Sequence, residues 1–325
     1  MYDLPCGALH STEITESYRD VPASELAAII DDIGTGMPWR AAVRMRYAET
    51  NPWLHRIVTD PSRDLFFRQY PPSNGSRILD IGAGWGQIAI PLAQNSFVCA
   101  LEPTPERLRF IHAAAKQEGI ADKMWFVQAD FCDIDFNDRF DLVTCIGVLE
   151  WVPSFRNGRA RDTQLEFLGR IRRIIKTGGA CCIGIENRLG LKYLLGARDD
   201  HTGHRSINVL DADLAMRRYH AATGKELRAF TYTQAEYRTL FQESGFSQIE
   251  TFVAFPDYKL PRLIIPCSCS ANTNQSLAQV QLPAEHDGVD GHMLSNTEDI
   301  HSHYRSLAAL GIAHLFAPSF YFILR

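Results

Sequence analysis

From residue 77 onward, short apolar runs alternate with amphipathic stretches. Arg77-Ile-Leu-Asp-Ile81, Phe97-Val-Cys-Ala-Leu101, Met124-Trp-Phe-Val-Gln128, Phe140-Asp-Leu-Val-Thr-Cys-Ile146 and Ala180-Cys-Cys-Ile-Gly-Ile185 each have the length and apolar density of a strand buried on both faces. Between them, apolar residues recur at helical spacing, as in Ile88-Ala-Ile-Pro-Leu-Ala93. Thr104-Pro105 reads as a helix start, a cap residue followed by proline in the first turn. Strands alternating with helices predict an α/β fold with a doubly wound, mostly parallel sheet. Gln248–Phe255 reads as a sixth strand, preceded by a helix that a Thr233-Gln-Ala-Glu236 capping box opens and Gly245 closes. Phe320-Tyr-Phe-Ile-Leu324 is a further strongly apolar strand.

The strand ends carry the polar residues. After Asp80 the chain reads Ile81-Gly82-Ala-Gly84-Trp85-Gly86-Gln87. Alternate glycines let the backbone take positive φ and approach a ligand closely. A dinucleotide fingerprint, Gly-x-Gly-x-x-Gly, would need glycine where Gln87 stands. Glu102 ends the second strand, about 20 residues beyond the turn, where doubly wound folds hold ribose hydroxyls. Ala129-Asp130-Phe131 ends the third. This pattern resembles motif I and its neighbours in the class I S-adenosylmethionine-dependent methyltransferases. The resemblance implies a Rossmann-like sheet of seven strands, with the last inserted antiparallel between the fifth and sixth. It implies S-adenosylmethionine as cofactor, with Asp80, Gly82, Gly84, Gln87, Glu102, Pro103 and Gly147 around it. Asp130 would accept from the adenine amine beside Phe131, and Trp85 would form a wall of the site.

Residues 1–75 are expected to form a helical N-terminal extension, loosely ordered over the first 20 residues and lying over the cofactor cleft as a lid. Its helices are expected over Ser24–Ile30, over Pro38–Tyr47 and from Asp60-Pro61 onward. The methyltransferase domain then takes residues 76–325. Two insertions interrupt it. Residues 187–230 would form the acceptor side of the cleft, and 256–316 contains a polar stretch, 266–298, that reads as a long flexible loop.

Composition narrows the function. The net charge of −5 and pI near 6.1 argue against a nucleic-acid partner, which needs a concentrated basic face. No window approaches the ~18 apolar residues of a membrane span, and Met1-Tyr-Asp-Leu-Pro does not read as a secretory leader, so a cytoplasmic location is expected. Four of the cysteines fall in strands, as small hydrophobes. Neither Cys267-x-Cys269 nor His301-x-His303 has metal-site spacing, so no metal is expected. A homodimer is compatible with all of this.

Three further segments narrow the resemblance: Ile146-Gly-Val-Leu-Glu150; Ile185-Glu-Asn-Arg-Leu-Gly-Leu-Lys-Tyr-Leu-Leu-Gly-Ala197 with Asp199-Asp-His-Thr-Gly203; and Phe255-Pro-Asp-Tyr-Lys-Leu-Pro261. With Phe316-x-x-Ser319-Phe320, they resemble a bacterial methyltransferase group often encoded among surface-polysaccharide glycosyltransferases. That implies a glycan or small-molecule acceptor, methylated on a hydroxyl. A hydroxyl nucleophile needs its proton removed during attack. His201, in Asp199-Asp200-His201, is the expected base, with Glu150 and Glu186 as competitors. Trp151, Asn187, Arg188, Tyr193, Asp257 and Tyr258 are expected to contact the acceptor. The alternatives are N-, O- or C-methylation of a secondary metabolite, a nicotinamide-dependent oxidoreductase, and a non-catalytic protein on the same fold.

Overall fold

The structure, a computed structural model, describes residues 9–11, 20–267, 270–279 and 297–325. The chain divides into two compact units, Met1–Ile146 with Arg170–Cys181, and Gly147–Gly169 with Cys182–Arg325. The units therefore part inside the expected methyltransferase domain, not at residue 75.

In the first unit, β1 (Leu9–Ser11) is followed by the helices α1 (Ala23–Gly34), α2 (Trp39–Tyr47), α3 (Pro52–Thr59) and α4 (Leu65–Gln69). Then come β2 (Arg77–Ile81), α5 (Ala89–Ala93), β3 (Phe97–Leu101), α6 (Pro105–Gln117), β4 (Met124–Gln128) and β5 (Phe140–Ile146). The strands are parallel and lie in the order β1-β4-β3-β2-β5. The chain moves outward from β2 through β3 to β4, then returns to place β5 on the other side of β2. That reversal is a topological switch point, where open α/β sheets leave a crevice beyond the strand ends. The strand interiors, such as Leu79, Ala100, Phe126 and Val143, are buried.

The N-terminal helices form where expected, with one addition. α3 precedes Asp60, whose carboxylate accepts from Ser62 N and opens a single 3-10 turn (Pro61–Asp64) ahead of α4. Leu26, Ile29 and Ile33 give α1 a buried stripe. α1 and α2 pack on α6, where Trp39 Nε1 donates to Glu118 Oε1 at 2.8 Å and Trp39 N to Gln117 Oε1 at 2.8 Å. Their main support is thus a helix on the face of the sheet, not the strand ends a lid would cover.

The second unit contains most of α7 (Ala160–Ile174) and the end of β6 (Ile175–Glu186). It continues with α8 (Leu191–Leu194), α9 (Ala212–Thr223), α10 (Gln234–Glu243), β7 (Ile249–Phe255), β8 (Leu263–Pro266), α11 (Ser270–Ala278), α12 (Thr297–Ala309) and β9 (Ser319–Leu324). As expected, β9 lies between β6 and β7 and runs antiparallel to β7. The capping box of α10 is formed in both directions. Tyr237 and Phe241 of α10 pack on Phe322 of β9, with the Phe241 and Phe322 rings 5.0 Å apart.

Two expectations change here. Nine strands are present among the described residues in place of seven, because the edge strands β1 and β8 are added. The expected loop at 266–298 begins as a helix, α11, whose Thr273, Asn274 and Leu277 are buried. The remainder, 280–296, lies outside the described residues, as do Cys269 and most of the first 20 residues. Among the described residues no helix is long and apolar enough to cross a membrane.

Candidate active site

A candidate nucleotide-binding region lies in the first unit. Gly82, Gly84 and Gly86 have φ of 66°, 57° and 80°, a region L side chains disfavour. Gly86 also needs its small size: a Cβ there would meet Ile90 Cδ1 at 2.9 Å and Ile111 Cγ1 at 3.2 Å. Asp80, in β2, is buried. Thr144 Oγ1 donates to its Oδ1 at 2.6 Å, while its Oδ2 accepts no hydrogen bond. Burial pushes the Asp80 carboxyl up to about 7, against the Thr144 hydrogen bond and the charge of Arg63. Glu102 follows β3. Its Oε2 accepts from Gly84 N at 2.9 Å and its Oε1 from Thr104 N at 3.0 Å. Burial raises this carboxyl too, opposed by the Arg107 guanidinium, 3.7 Å away. Carboxylate oxygens have more than one lone pair, so Glu102 keeps acceptor capacity for a ribose.

The other cofactor candidates divide. Asp130 is half-buried beside buried Phe131, and its Oδ1 accepts from Cys132 N at 2.8 Å. Pro103 is half-buried after Glu102. Gln87 is occupied with the turn itself, its Oε1 accepting from Trp85 N at 3.0 Å. Trp85 is not a wall of the site. It is 2 % exposed, packs edge-on against Phe110 and Tyr47, and donates its indole N–H to Asp20 Oδ2 at 2.8 Å. An apolar ring after β2 finds more contact among α2 and α6 than facing a ligand.

An acid–base cluster lies in the second unit. Gly147 has φ 72°, and a Cβ there would lie 2.6 Å from Tyr258 Oη, so this glycine makes room for a tyrosine. Tyr258 is buried and its hydroxyl approaches Glu150 Oε1 at 3.4 Å. Asp199 Oδ1 accepts from the N–H groups of His201 and Thr202, both at 2.8 Å, an Asx turn that fixes the loop after α8. The His201 side chain is thereby buried, with Nε2 3.5 Å from Glu186 Oε2 and 3.7 Å from Glu150 Oε1. Its Nδ1 is 3.7 Å from Asp199 Oδ1, and the Trp151 ring stands edge-on at 5.0 Å. Glu186 Oε1 is ion-paired with Lys259, whose Nζ is also 3.5 Å from Asp200 Oδ2. Lys192 Nζ is 2.9 Å from Asp200 Oδ2, and the Tyr193 hydroxyl donates to the same oxygen at 3.1 Å. Glu150 Oε2 and Glu186 Oε2 are buried and accept no hydrogen bond.

The charges sort the roles. Burial would lower the His201 imidazole, but Glu186, with Asp199 and Glu150, raises it well above its ordinary value. That rise favours the imidazolium form, which counts against His201 as the base and leaves Glu150 and Glu186 as the competing candidates. Burial raises Glu150, with Glu186 adding to the rise and His201 opposing it. Burial acts on Glu186 as well, yet Lys259 and His201 hold it well below the usual carboxylate range. Against its own burial, Asp200 is brought down to about 2 by Lys192 and Lys259. Asp257 is raised by burial, and its Oδ1 accepts from Lys259 N at 2.8 Å. Glu150, Glu186 and His201 have the donor types of a metal site. Lys259 already supplies positive charge beside Glu186, and the same three side chains can serve as an acid–base group.

Two acceptor candidates are structural. The Asn187 amide is fully buried and donates to the carbonyls of Leu315 and Ala317, both at 2.8 Å. Arg188 is ion-paired with Glu236 at 2.9 Å and donates to Leu210 O at 3.0 Å. Tyr193 is buried and committed to Asp200. Sequence reasoning missed Thr144, Asp20, Arg107, Lys192, Asp200 and Lys259. A hydroxyl within an apolar strand was a signal for Thr144, and Asp200 and Lys259 stand inside the distinctive blocks. Nothing local marks Asp20 or Arg107.

Residues 79–183 match the sequence model of the family described as methyltransferase domain. Over those residues the chain carries a methyltransferase domain. Over 120 residues it is 31% identical to a ubiquinone biosynthesis O-methyltransferase of Rickettsia canadensis, covering 37% of this chain and 46% of that protein. The corresponding protein of Aeromonas salmonicida is 28% identical over 148 residues, 45% of this chain and 55% of its own length. The chain thus spans about half the length of these curated relatives. Among solved structures, a putative O-methyltransferase from Nostoc punctiforme is 17% identical with a TM-score of 0.45, over 72% of this chain and 68% of that one. A phosphoethanolamine N-methyltransferase of Haemonchus contortus is 15% identical with a TM-score of 0.46, over 91% and 59%.

The cofactor of this domain type fits the residues present. The unpartnered Oδ2 of Asp80 suits an ammonium, and Glu102 suits a vicinal diol. The positive-φ turn between them leaves no side chain over the nucleoside. Asp130 would take the adenine amine.

Proposed function

We propose that this protein transfers a methyl group from S-adenosylmethionine to a hydroxyl oxygen of a sugar, a glycan or a glycosylated small molecule. The observation that carries the reading is the buried Glu150–His201–Glu186 cluster, in which Glu150 Oε2 accepts no hydrogen bond and Glu186 Oε2 meets His201 Nε2 at a long 3.5 Å. Such oxygens are costly to bury unless a ligand completes them. A sugar hydroxyl supplies the donor they need. The relatives named O-methyltransferases support oxygen as the acceptor atom, and the Glu-Asn-Arg and Pro-Asp-Tyr-Lys blocks support a glycan.

When bound, the cofactor supplies a methyl carbon already activated on a sulfonium. The acceptor oxygen forms the new bond as the carbon–sulfur bond breaks, and the hydroxyl proton must leave. Glu150 is the group to take it: burial and Glu186 raise its basicity, while Glu186 itself is tied to Lys259. His201 lies between them with its Nε2 facing both glutamates, and its raised proton affinity helps keep two carboxylates together at close range. Asp199 orients His201, and Trp151 offers its ring face to the acceptor's apolar surface.

An acceptor amine is the second reading, because the carboxylates Glu150, Glu186, Asp199, Asp200 and Asp257 outnumber the cations His201, Lys192 and Lys259. Labelling pools of sugars, glycans and amines with radioactive methyl donor separates the readings. The expected product is a methyl ether. Label recovered only on nitrogen or carbon would overturn the assignment to oxygen.

A further inference from the structure

Asp20 lies ahead of α1, far in sequence from the strand ends, yet its two oxygens serve both parts of the candidate nucleotide-binding region. Oδ2 accepts from Trp85 Nε1 of the glycine turn at 2.8 Å. Oδ1 is ion-paired with Arg107 Nη2 at 2.7 Å. Arg107 stands at the start of α6, with a side chain only 8 % exposed, and its Nη1 is 3.7 Å from Glu102 Oε1. One buried guanidinium thus faces two carboxylates, Asp20 at 2.7 Å and Glu102 at 3.7 Å.

Resting on the reading of Glu102 as the ribose acid, we infer that Asp20 is a positioning residue that keeps Glu102 available by holding Arg107 away from it. A guanidinium in a buried setting seeks a charged partner, and an unpaired one is costly. With Asp20 present, that demand is met at 2.7 Å, and the Glu102 carboxylate accepts from the Gly84 and Thr104 N–H groups and from the Thr104 hydroxyl. With the Asp20 charge removed, Glu102 is the carboxylate already beside Arg107. The gap of 3.7 Å would close to about 2.8 Å, the length of a charge-assisted hydrogen bond. Arg107 would then occupy acceptor capacity on Oε1 that a ribose hydroxyl needs. The distant approach still offsets part of the cost of burying Glu102, since Arg107 opposes the burial-driven rise of that carboxyl. The arrangement supplies charge compensation without a competing hydrogen bond.

The test couples Asp20 to the ribose hydroxyls by calorimetry. The ligands are S-adenosylhomocysteine and its analogue lacking both ribose hydroxyls. Asp20→Asn keeps an acceptor for the Trp85 indole and removes the charge. It should weaken S-adenosylhomocysteine about tenfold and leave the dideoxy analogue within about twofold of the native protein, because the hydroxyl contribution is what is lost. Asp20→Glu, which restores the charge, should recover most of the affinity. A merely structural Asp20 would weaken both ligands alike, and equal losses, or no loss on either, would overturn the inference. Failure of the native protein to bind S-adenosylhomocysteine would remove the cofactor reading and this inference with it. Melting temperatures of both variants show whether the fold is intact.

Discussion

Cofactor affinity should depend on pH through Asp80. Its carboxyl is raised to about 7 by burial, and its Oδ2 has no partner within the protein. A methionyl ammonium binds the ionised form. The sign follows: affinity is full above pH 7 and is lost as pH falls through 7. The competent fraction is roughly 0.76 at pH 7.5 and 0.09 at pH 6, so the dissociation constant for S-adenosylhomocysteine should rise roughly eightfold over that interval. The ligand's own amine, titrating near ~7.7–8.0, is roughly 0.6–0.8 protonated at pH 7.5 and almost fully protonated at pH 6, which trims the change to about five- to sixfold. Calorimetry in buffers of matched ionic strength measures this directly. Asp80→Asn should bind weakly with a flat profile. Thr144→Val removes the 2.6 Å hydrogen bond that favours ionisation, so its midpoint should move to higher pH. A native profile flat between pH 6 and 7.5 would refute the reasoning, as would an Asp80→Asn protein that keeps the slope.

Other outcomes follow from the second unit. Glu150→Gln should lower kcat about 10²–10⁴-fold with cofactor affinity unchanged, the range for a general base; retention of most of kcat would exclude Glu150 from that role. Asn187→Ala strands the buried carbonyl of Ala317 and the partly buried one of Leu315 and should cost about 1–3 kcal/mol, read as a lower Tm, while acceptor KM in the folded protein stays native. Gly147→Ala places a Cβ 2.6 Å from Tyr258 Oη in a left-handed backbone, so it should destabilise by at least ~1–2 kcal/mol, and Tyr258→Phe in the same chain should recover part of the loss in a denaturant melt.

The order of strands and helices, the glycine turn, Asp80 and Glu102 at adjacent strands, and the capping box of α10 were all legible in the sequence. Each is a local matter: apolar runs of strand length, glycines where φ must be positive, a Thr three residues ahead of a Glu. Even the position of β9 was accessible, because its resemblance to a known topology assigned it a place. The extra edge strands were not, since β1 and β8 are short and acquire their regularity from a neighbour. Roles assigned by residue type also failed where a distant partner had prior claim. Asn187 looked like a substrate ligand until the fold brought Leu315 and Ala317 to its amide, and Trp85 looked like a site wall until Tyr47, Phe110 and Asp20 enclosed it. His201 shows the limit most clearly. The sequence by itself determined that a histidine stands beside Asp199 and Asp200 after the last parallel strand. Only the tertiary structure placed Glu150 and Glu186 against its Nε2, and so raised its proton affinity where the sequence suggested a neutral base. Charge acts through space, and proton affinity belongs to the assembled cluster, whose members come from segments far apart along the chain.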